Sequence, residues 1–390
     1  MTVLPEVLPD GLLAPRYDGL ALSSVLPGAA GALGLDLTTS TGTGSLQARA
    51  DLGLPAADRV CVVLVDGLGH ANLTERAGHA PFLRSLLGTS RVLTSSFPST
   101  TAAAIGTFGT GTSPGRTGML GYTQRDTVSG RLANMVSWDG AADPRDLQQE
   151  PPVLERLAEA GVEVSSVGPA RFAGSGMTVA ALRGARYLAA ESIADRVDTV
   201  AFELTAPGLV YLYWGDVDKA GHHHGWRSRQ WGDALSDLDR ELGRLARSLP
   251  NGTLLVVTAD HGMVDVDRSK RWDVAQTPEL GRGVALVGGE PRAVHVYARP
   301  DQAPAVAARW SSVLGDDAIV ALREDAVAAG WFGPVADHVL PAIGDVVVAM
   351  RGRATVVDSR TQTAASLQLV GVHGSLTRTE MQVPLLVTTT

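Results

Sequence analysis

The side chains that most clearly indicate chemistry are acids and imidazoles that follow three apolar runs. The runs and the residues after them are 59–65 with Asp66, 209–215 with Asp218 and His222, and 253–258 with Asp260 and His261. Continuous apolar runs of this length are typical of buried parallel strands. Ligands of open α/β sheets bind at the carboxyl ends of the strands. We therefore expect these side chains to converge on one site.

The spacing of these residues suits metal ligands. Asp218 precedes His222 by four positions, so both can reach one ion from a turn or the start of a helix, and His373 lies in a loop between glycines. One aspartate at a strand end is more often a turn or helix cap, and one histidine there is more often a structural residue. The complete set is more specific than its members. Mixed oxygen and nitrogen ligands without a thiolate indicate Zn²⁺, with Mn²⁺ or Fe as alternatives.

Residues 94–122 are rich in Ser, Thr, Gly and Ala and have little apolar bulk. Ser99, Thr100 and Thr101 follow Pro98, where we predict the start of a helix whose free N–H groups are capped by Ser or Thr side chains. A hydroxyl group at that position faces backbone donors and the positive end of a helix dipole, which suits a phosphate. We expect one of the three hydroxyls to be a metal-activated nucleophile. The glycines that follow match neither the Walker A pattern nor the dinucleotide-binding pattern, and they predict tight turns.

Three aspartates, three histidines and a hydroxyl are enough for two metal ions. Two such ions can clamp the attacking and leaving oxygens of an in-line displacement at phosphorus. One of them lowers the pKa of the hydroxyl, and the reaction then needs mainly positioning and charge neutralisation. The predicted chemistry is phosphoryl transfer.

The motifs VDG, FPSTT, DKAGHHHG, ADHGM and GVHG occur in this order between Val60 and Val387. Together they resemble the nucleotide pyrophosphatase/phosphodiesterase (type I phosphodiesterase) branch of the alkaline phosphatase superfamily. The resemblance implies one zinc ion on Asp218, His222 and His373, and another on Asp66, Asp260, His261 and the Thr101 oxygen. It also implies that Thr101 is the nucleophile, with Thr100 as the alternative.

The chain departs from the family after the nucleophile. Residues 102–105 are Ala-Ala-Ala-Ile where the family has Phe-Pro-Asn-His, and the family's phosphate-binding Asn falls at Tyr122. The resemblance therefore implies Tyr122 as a substrate-binding residue, through its hydroxyl. The candidates for an aromatic slot that stacks a base are Trp138, Trp214, Trp226 and Trp272, for which core packing is the more frequent role.

The predicted fold class is α/β. The resemblance implies an alkaline-phosphatase-like three-layer sandwich with a central, mostly parallel sheet and a small α+β insertion. The expected domains are an irregular N-terminal leader packed on the body (1–50), a catalytic α/β core (51–284 and 346–390) and an inserted cap-like subdomain (285–345).

The composition excludes several classes of protein. A net charge of −8 argues against binding to a nucleic-acid polymer, and the single cysteine, Cys61, excludes an intrachain disulfide. The N-terminus lacks the pattern of a signal peptide, and no apolar run is long enough to span a membrane. We therefore expect a cytoplasmic protein, monomeric or homodimeric. The scarcity of Lys beside many Arg, Ala and Gly suggests a GC-rich bacterial genome.

The predicted function is hydrolysis of small phosphodiesters or phosphoanhydrides, such as nucleotides, through a phosphothreonine. A phosphomonoesterase or a phosphonoacetate-type phosphonate hydrolase is the alternative with the same metal site. A monoesterase needs extra positive charge, for which Arg116, Arg125 and Lys219 are the candidates. A catalytically silent binding module is disfavoured, because no ligand position is replaced.

Overall fold

The structure, a computed structural model, describes Leu8 and residues 11–390. In chain order, its strands are β1 (Arg59–Val65), β2 (Arg91–Thr94), β3 (Thr123–Arg125), β4 (Leu132–Asn134), β5 (Val164–Gly168), β6 (Arg186–Ala189), β7 (Gly208–Trp214), β8 (Leu254–Ala259), β9 (Val264–Asp265), β10 (Arg271–Asp273), β11 (Val284–Glu290), β12 (Ala293–Ala298), β13 (Ala318–Leu322), β14 (Val346–Met350), β15 (Thr355–Val357), β16 (Gly371–Val372) and β17 (Gln382–Thr389). Its helices are α1 (Val25–Ala32), α2 (Ser45–Leu52), α3 (His70–Glu75), α4 (Pro81–Leu87), α5 (Thr101–Thr110), α6 (Pro114–Thr117), α7 (Pro144–Leu147), α8 (Val153–Glu159), α9 (Gly176–Ala181), α10 (Ile193–Glu203), α11 (Asp216–His224), α12 (Arg229–Ser248), α13 (Pro278–Gly281), α14 (Ala303–Leu314), α15 (Arg323–Ala328) and α16 (Arg378–Met381).

The central sheet has the strand order β2-β17-β8-β1-β7-β5-β6. The five strands from β8 to β6 run parallel, and β17 is antiparallel to both of its neighbours. The middle strands consist mainly of Val and Leu and are buried, as expected for strands covered on both faces. One group of helices (α1, α2, α5, α8, α9) and another (α4, α10, α11, α12) cover the sheet. The predicted α/β class and alkaline-phosphatase-like sandwich are confirmed.

The segment 11–50, where we expected an irregular leader, contains α1 and most of α2. Small residues allow these two helices to pack closely. A Cβ atom added at Gly31 would lie 2.3 Å from the carbonyl oxygen of Ser45. The Ser45 hydroxyl in turn donates a hydrogen bond to the Leu35 carbonyl at 2.6 Å. Frequent Gly and Ala therefore indicate close helix packing here, not irregular chain, and residues 1–7, 9 and 10 lie outside the described part.

The insertion contains an antiparallel sheet of order β11-β12-β14-β13. Strand β14 belongs to this sheet, although we expected the insertion to end at residue 345. The sequence pattern of a buried apolar strand is the same in either sheet, so it did not show to which sheet β14 belongs. Arg292 joins this sheet to the core through an ion pair with Glu380, and both side chains are fully buried.

Among the described residues, each helix is either too short or too polar to cross a bilayer.

Candidate active site

The carboxyl ends of β8, β1 and β7 bring the three predicted aspartates together. Val65 at the end of β1 pairs with Ala259 of β8 on one side and Trp214 of β7 on the other. Asp66 and Asp260 follow their strands directly, whereas Asp218 lies in the first turn of α11. The convergence follows from strand order, because three adjacent parallel strands end at one edge.

The glycine after Asp66 has a local reason. Gly67 has a φ of +71°, and a Cβ atom added there would lie 2.9 Å from Oδ1 of Asp218. Only glycine combines this backbone conformation with so close an approach of the second aspartate.

One group of potential ligands comprises Asp66, Asp260 and His261, whose ligand atoms all lie within 4.8 Å of one another. Nε2 of His261 is 3.4 Å from Oδ1 of Asp66 and 3.4 Å from Oδ2 of Asp260. The other oxygen of Asp260 accepts hydrogen bonds from the backbone N–H groups of Gly67 and His261. These bonds hold the carboxylate so that Oδ2 faces the group.

The other group comprises Asp218, His261 and His373. His222 adjoins it, with its Nε2 3.2 Å from Oδ2 of Asp218 and 3.3 Å from Nε2 of His373. The rings of His261 and His373 stack with their centroids 3.6 Å apart. His261 therefore lies between the two groups, and all six predicted ligands form one continuous cluster.

Each of the three imidazoles has its Nδ1 at a backbone carbonyl oxygen. Nδ1 of His222 is 2.8 Å from Gly371 O, that of His373 is 3.2 Å from Ser99 O, and that of His261 is 3.1 Å from Gly262 O. A carbonyl oxygen only accepts, so Nδ1 of each ring carries a hydrogen and Nε2 is the atom that faces the cluster, where it can bind a metal through its lone pair once the ring is neutral. Outer hydrogen bonds of this kind orient the histidines of metal sites.

Helix α5 begins at Thr101, which distinguishes the three predicted hydroxyls. Thr100 occupies the N-cap position with an extended backbone, but its side chain makes no capping hydrogen bond, contrary to our expectation. The Ser99 hydroxyl donates to the Ser375 carbonyl at 2.6 Å. The Thr101 hydroxyl alone among the three contacts the cluster, 3.2 Å from Nε2 of His261 and 3.5 Å from Oδ1 of Asp66.

The carboxylates perturb one another. Burial, reinforced by the charges of Asp260 and Asp218, raises the pKa of Asp66 well above its usual value. Burial likewise raises the pKa of Asp260. Burial also opposes ionisation of Asp218, but the adjacent His222 outweighs it and lowers the pKa of Asp218. Burial opposes protonation of His222, whose pKa the Asp218 carboxylate nevertheless raises to about 9.

The cluster fits divalent cations. Oδ1 of Asp218 and Oδ2 of Asp260 are buried and make no hydrogen bond among the described residues. Buried carboxylate oxygens without a partner are costly unless a cation offsets their charge. Two zinc ions, or Mn²⁺ or Fe, would bind to the three carboxylates and to the Nε2 atoms of the three imidazoles, which face the cluster.

The predicted substrate-binding residue and the aromatic candidates lie outside this cluster. The side chain of Tyr122 is 45% exposed just before β3, and the structure does not test its role. All four tryptophan candidates pack against the apolar clusters, as in the more frequent role: Trp138, Trp214, Trp226 and Trp272.

Sequence reasoning missed two residues beside the cluster. The Tyr213 hydroxyl donates a 2.5 Å hydrogen bond to Oδ2 of Asp66, and its ring lines an apolar cavity with Phe172, Tyr187 and Tyr211. Its place in the strand before Asp218 was the available signal. Glu290, at the end of β11, has a buried carboxyl group facing Thr100, and burial raises its pKa to about 8. No motif identifies it, because the folded insertion brings it there.

Known proteins resemble this chain in sequence and in fold. A sequence profile described as type I phosphodiesterase/nucleotide pyrophosphatase matches residues 60–376. Human ectonucleotide pyrophosphatase/phosphodiesterase family member 5 is 34% identical over 98 residues, which are 23% of this chain and 20% of that protein. The chain thus matches only a fifth of the length of this curated relative.

Two solved structures have a similar fold. An inactive Thr→Ala variant of murine ectonucleotide pyrophosphatase/phosphodiesterase 5, in complex with AMP, has a TM-score of 0.65 and 18% identity, covering 84% of this chain and 87% of that one. Phosphonoacetate hydrolase from Sinorhizobium meliloti, in complex with phosphonoformate, has a TM-score of 0.69 and 20% identity, covering 90% of this chain and 93% of that one. At such identities the likeness concerns the fold.

Proposed function

Because the chain belongs to the type I phosphodiesterase/nucleotide pyrophosphatase family, we propose that it is a metal-dependent hydrolase of small phosphodiesters or phosphoanhydrides. The observation that carries the proposal is the position of the Thr101 hydroxyl, which contacts Asp66 and His261 at the start of α5. A hydroxyl at a helix N-terminus, beside carboxylates that need cations, suits attack on an anionic phosphoryl group.

Asp218, His222 and His373 would hold one cation, and Asp66, Asp260, His261 and Thr101 the other. When bound, the cations supply positive charge that favours the ionised hydroxyl and stabilises the phosphoryl group as it is transferred. Zinc suits this donor set best, with Mn²⁺ or Fe as alternatives.

The reaction consists of two displacements, in which Thr101 is first the nucleophile and then the leaving group. Oγ1 of Thr101 forms a bond to phosphorus while the bond to the leaving oxygen breaks, and the leaving group departs as an alcohol or a phosphate after taking up a proton. Water then attacks the phosphothreonine, the Oγ1–phosphorus bond breaks, and Thr101 regains its proton. The inactive Thr→Ala variant of the murine relative supports a threonine in this role.

The organic part of the substrate has a candidate contact at the surface. The cavity lined by Phe172, Tyr187 and Tyr213 adjoins Asp66, but its volume of about 30 Å³ is too small for a nucleobase. The exposed ring of Tyr122 offers a polar contact on the substrate through its hydroxyl. AMP in the murine relative supports a nucleotide as a substrate class to test first.

Phosphomonoesters suit the site less well, because two of the three basic side chains that could bind their additional negative charge make other contacts. Arg116 forms an ion pair with Glu150 at 2.6 Å. Arg125 donates to the Pro341 carbonyl and lies over the Tyr297 ring. These two arginines are therefore not available to give a doubly charged phosphate the bidentate contact that usually binds it.

The test compares substrates on protein of measured zinc content. We expect hydrolysis of bis-p-nitrophenyl phosphate to exceed that of p-nitrophenyl phosphate, with phosphonoacetate as a third substrate for the alternative activity. We also expect more than one zinc ion per chain after supplementation. A preference for the monoester or the phosphonate, or a metal content below about one per chain, would overturn the proposal.

A further inference from the structure

Glu290 reaches the active site from outside the motif-bearing core. It is the last residue of β11 in the insertion, and its side chain is 7% exposed. The Thr100 hydroxyl and the Tyr122 backbone N–H face its carboxyl group. Thr100 precedes the nucleophile, so the carboxyl group lies beside the segment over which a phosphoryl group must bind.

The backbone after His373 makes room for this side chain. A Cβ atom added at Gly374 would lie 2.7 Å from Cγ and 3.3 Å from Oε1 of Glu290. Gly374 has a φ of +132° and pairs with Ser99, which joins the His373 loop to the nucleophile segment. Glu290 is therefore packed between the loops that carry a ligand and the nucleophile.

Neither oxygen of Glu290 makes a well-formed hydrogen bond within the described part of the chain. Arg292, two residues later, pairs with Glu380 and is not available to it. The charge of Glu290 does reach the ligand His222, whose protonated form it favours. Within residues 11–390, a buried carboxyl group that has only two neutral neighbours, a hydroxyl group and a backbone N–H group, and no ion pair is costly to ionise, which indicates a role other than folding.

The two classes of phosphate ester differ in what they present to such a group. At about pH 9.5, above the raised pKa of Glu290, a monoester carries a charge close to −2, whereas a diester carries −1 and has an esterified oxygen in place of the additional charge. Like charges a few ångströms apart in a site of low polarity repel strongly. A carboxylate beside the phosphoryl position therefore penalises the monoester more than the diester.

We propose that Glu290 is a specificity-determining residue that makes the site selective for singly charged phosphoryl groups by excluding doubly charged ones. This inference rests on the proposed phosphodiesterase function and names the feature that separates diesters from monoesters. It assigns to the insertion a direct part in substrate selection, whereas the core carries the reacting groups.

The test removes the charge and keeps the shape of the side chain. In zinc-loaded protein at about pH 9.5, where the carboxyl group of Glu290 is ionised, we expect Glu290→Gln to lower the ratio of kcat/KM for bis-p-nitrophenyl phosphate over p-nitrophenyl phosphate about tenfold, through faster monoester hydrolysis. Glu290→Asp keeps the charge and should keep most of the ratio. Glu324→Gln, on the exposed first turn of α15, controls for a general change in net charge.

A second measurement needs no turnover. We expect Glu290→Gln to tighten the binding of inorganic phosphate about tenfold by calorimetry, with a much smaller effect on dimethyl phosphate. An unchanged ratio, or a parallel loss with both substrates and both ligands, would overturn the role of Glu290. If the wild type hydrolysed none of the phosphorus substrates, the proposed function would fail, while the two binding measurements would still decide the charge selection.

Discussion

The Thr101 hydroxyl lies 3.2 Å from Nε2 of His261, between the start of α5 and the end of β8. Because it is the one of the three candidate hydroxyls that contacts the cluster, we expect Thr101→Ala to lower kcat/KM for a diester by about 10³-fold or more. Thr101→Ser keeps the hydroxyl and should retain a substantial part of the activity. Steady-state kinetics on zinc-loaded proteins measures both effects.

The matched control is Thr107→Ala, the same substitution in the same helix. The Thr107 hydroxyl is buried without a hydrogen-bond partner among the described residues, so its removal should leave the rate unchanged. A phosphoryl adduct on the peptide that contains Thr101, trapped by acid quenching and seen by mass spectrometry, is expected only for the wild type and Thr101→Ser. Full activity of Thr101→Ala would exclude this nucleophile.

A second prediction concerns the hydrogen bond from Tyr213 to Asp66. Removing the hydroxyl in Tyr213→Phe frees Oδ2 of Asp66 to rotate, and losing such an outer contact weakens metal sites about 10- to 100-fold. Tyr187→Phe is the control, because that hydroxyl lines the same cavity but donates to the Pro169 carbonyl. Competition with a chromophoric chelator measures zinc affinity, and equal affinities for the two variants would contradict the prediction.

The sequence is most informative where one local pattern determines the position of a residue. Asp66 and Asp260 were predictable because an apolar strand followed by an acid fixes both the strand and its carboxyl end. The choice of Thr101 depended on the spacing of the family motif as well, because Ser99 and Thr100 also offer a hydroxyl at the predicted start of the helix. Glu290 follows no such pattern, because it reaches the site only after an insertion of uncertain boundaries has folded.

Strand β14 shows the corresponding limit for the fold. Its sequence, Val-Val-Val-Ala-Met, is buried as completely as a strand of the central sheet, so periodicity could not assign it to the insertion. Its pairing with β12 and β13 shows that it belongs to the sheet of the insertion. Long-range pairing of this kind depends on the whole chain, whereas apolar patterning is local.

The third prediction uses the crowding of carboxylates. Burial raises the pKa of Asp66 and Asp260, and a raised folded-state pKa means that ionisation destabilises the fold. The stabilisation that these two carboxyl groups give metal-free protein should therefore be largest below the ordinary carboxyl pKa and fall as pH rises through their raised values. Thermal unfolding of the wild type and of Asp260→Asn in chelator, at several pH values, separates this decline from the opposite effect of His373 and His295, whose pKa values burial lowers.

Asp260→Asn removes one of these charges. It should stabilise the metal-free protein but reduce the stabilisation that zinc provides. In chelator at about pH 8, we expect the variant to be more stable than the wild type, because the neutral amide avoids the cost of ionising a buried carboxyl group whose pKa is raised. Zinc should raise the stability of the wild type more than that of the variant, because the variant has lost a metal ligand. Asp233→Asn on the exposed face of α12 is the control. A less stable variant in chelator would show that the carboxylates do not repel.

The fourth prediction concerns the buried pair Arg292–Glu380, which joins the insertion to the loop of His373. Oε1 of Glu380 accepts from Arg292 and from the Ser375 backbone N–H, two residues after that histidine. Arg292→Met leaves the carboxylate buried and unpaired, which costs about 3–5 kcal/mol. We also expect weaker zinc binding, because the loop that positions His373 loses its anchor. Denaturant unfolding and zinc titration measure the two effects.

The double variant Arg292→Met/Glu380→Gln separates charge from packing. Its amide can still accept from Ser375, and no unpaired charge remains, so we expect it to be more stable than Arg292→Met alone. Arg240→Met, which breaks an exposed pair with Asp237, should change stability far less, since water solvates both groups. If the double variant were as unstable as the single one, packing of the Arg292 side chain, not its charge, would be what joins the insertion to the core.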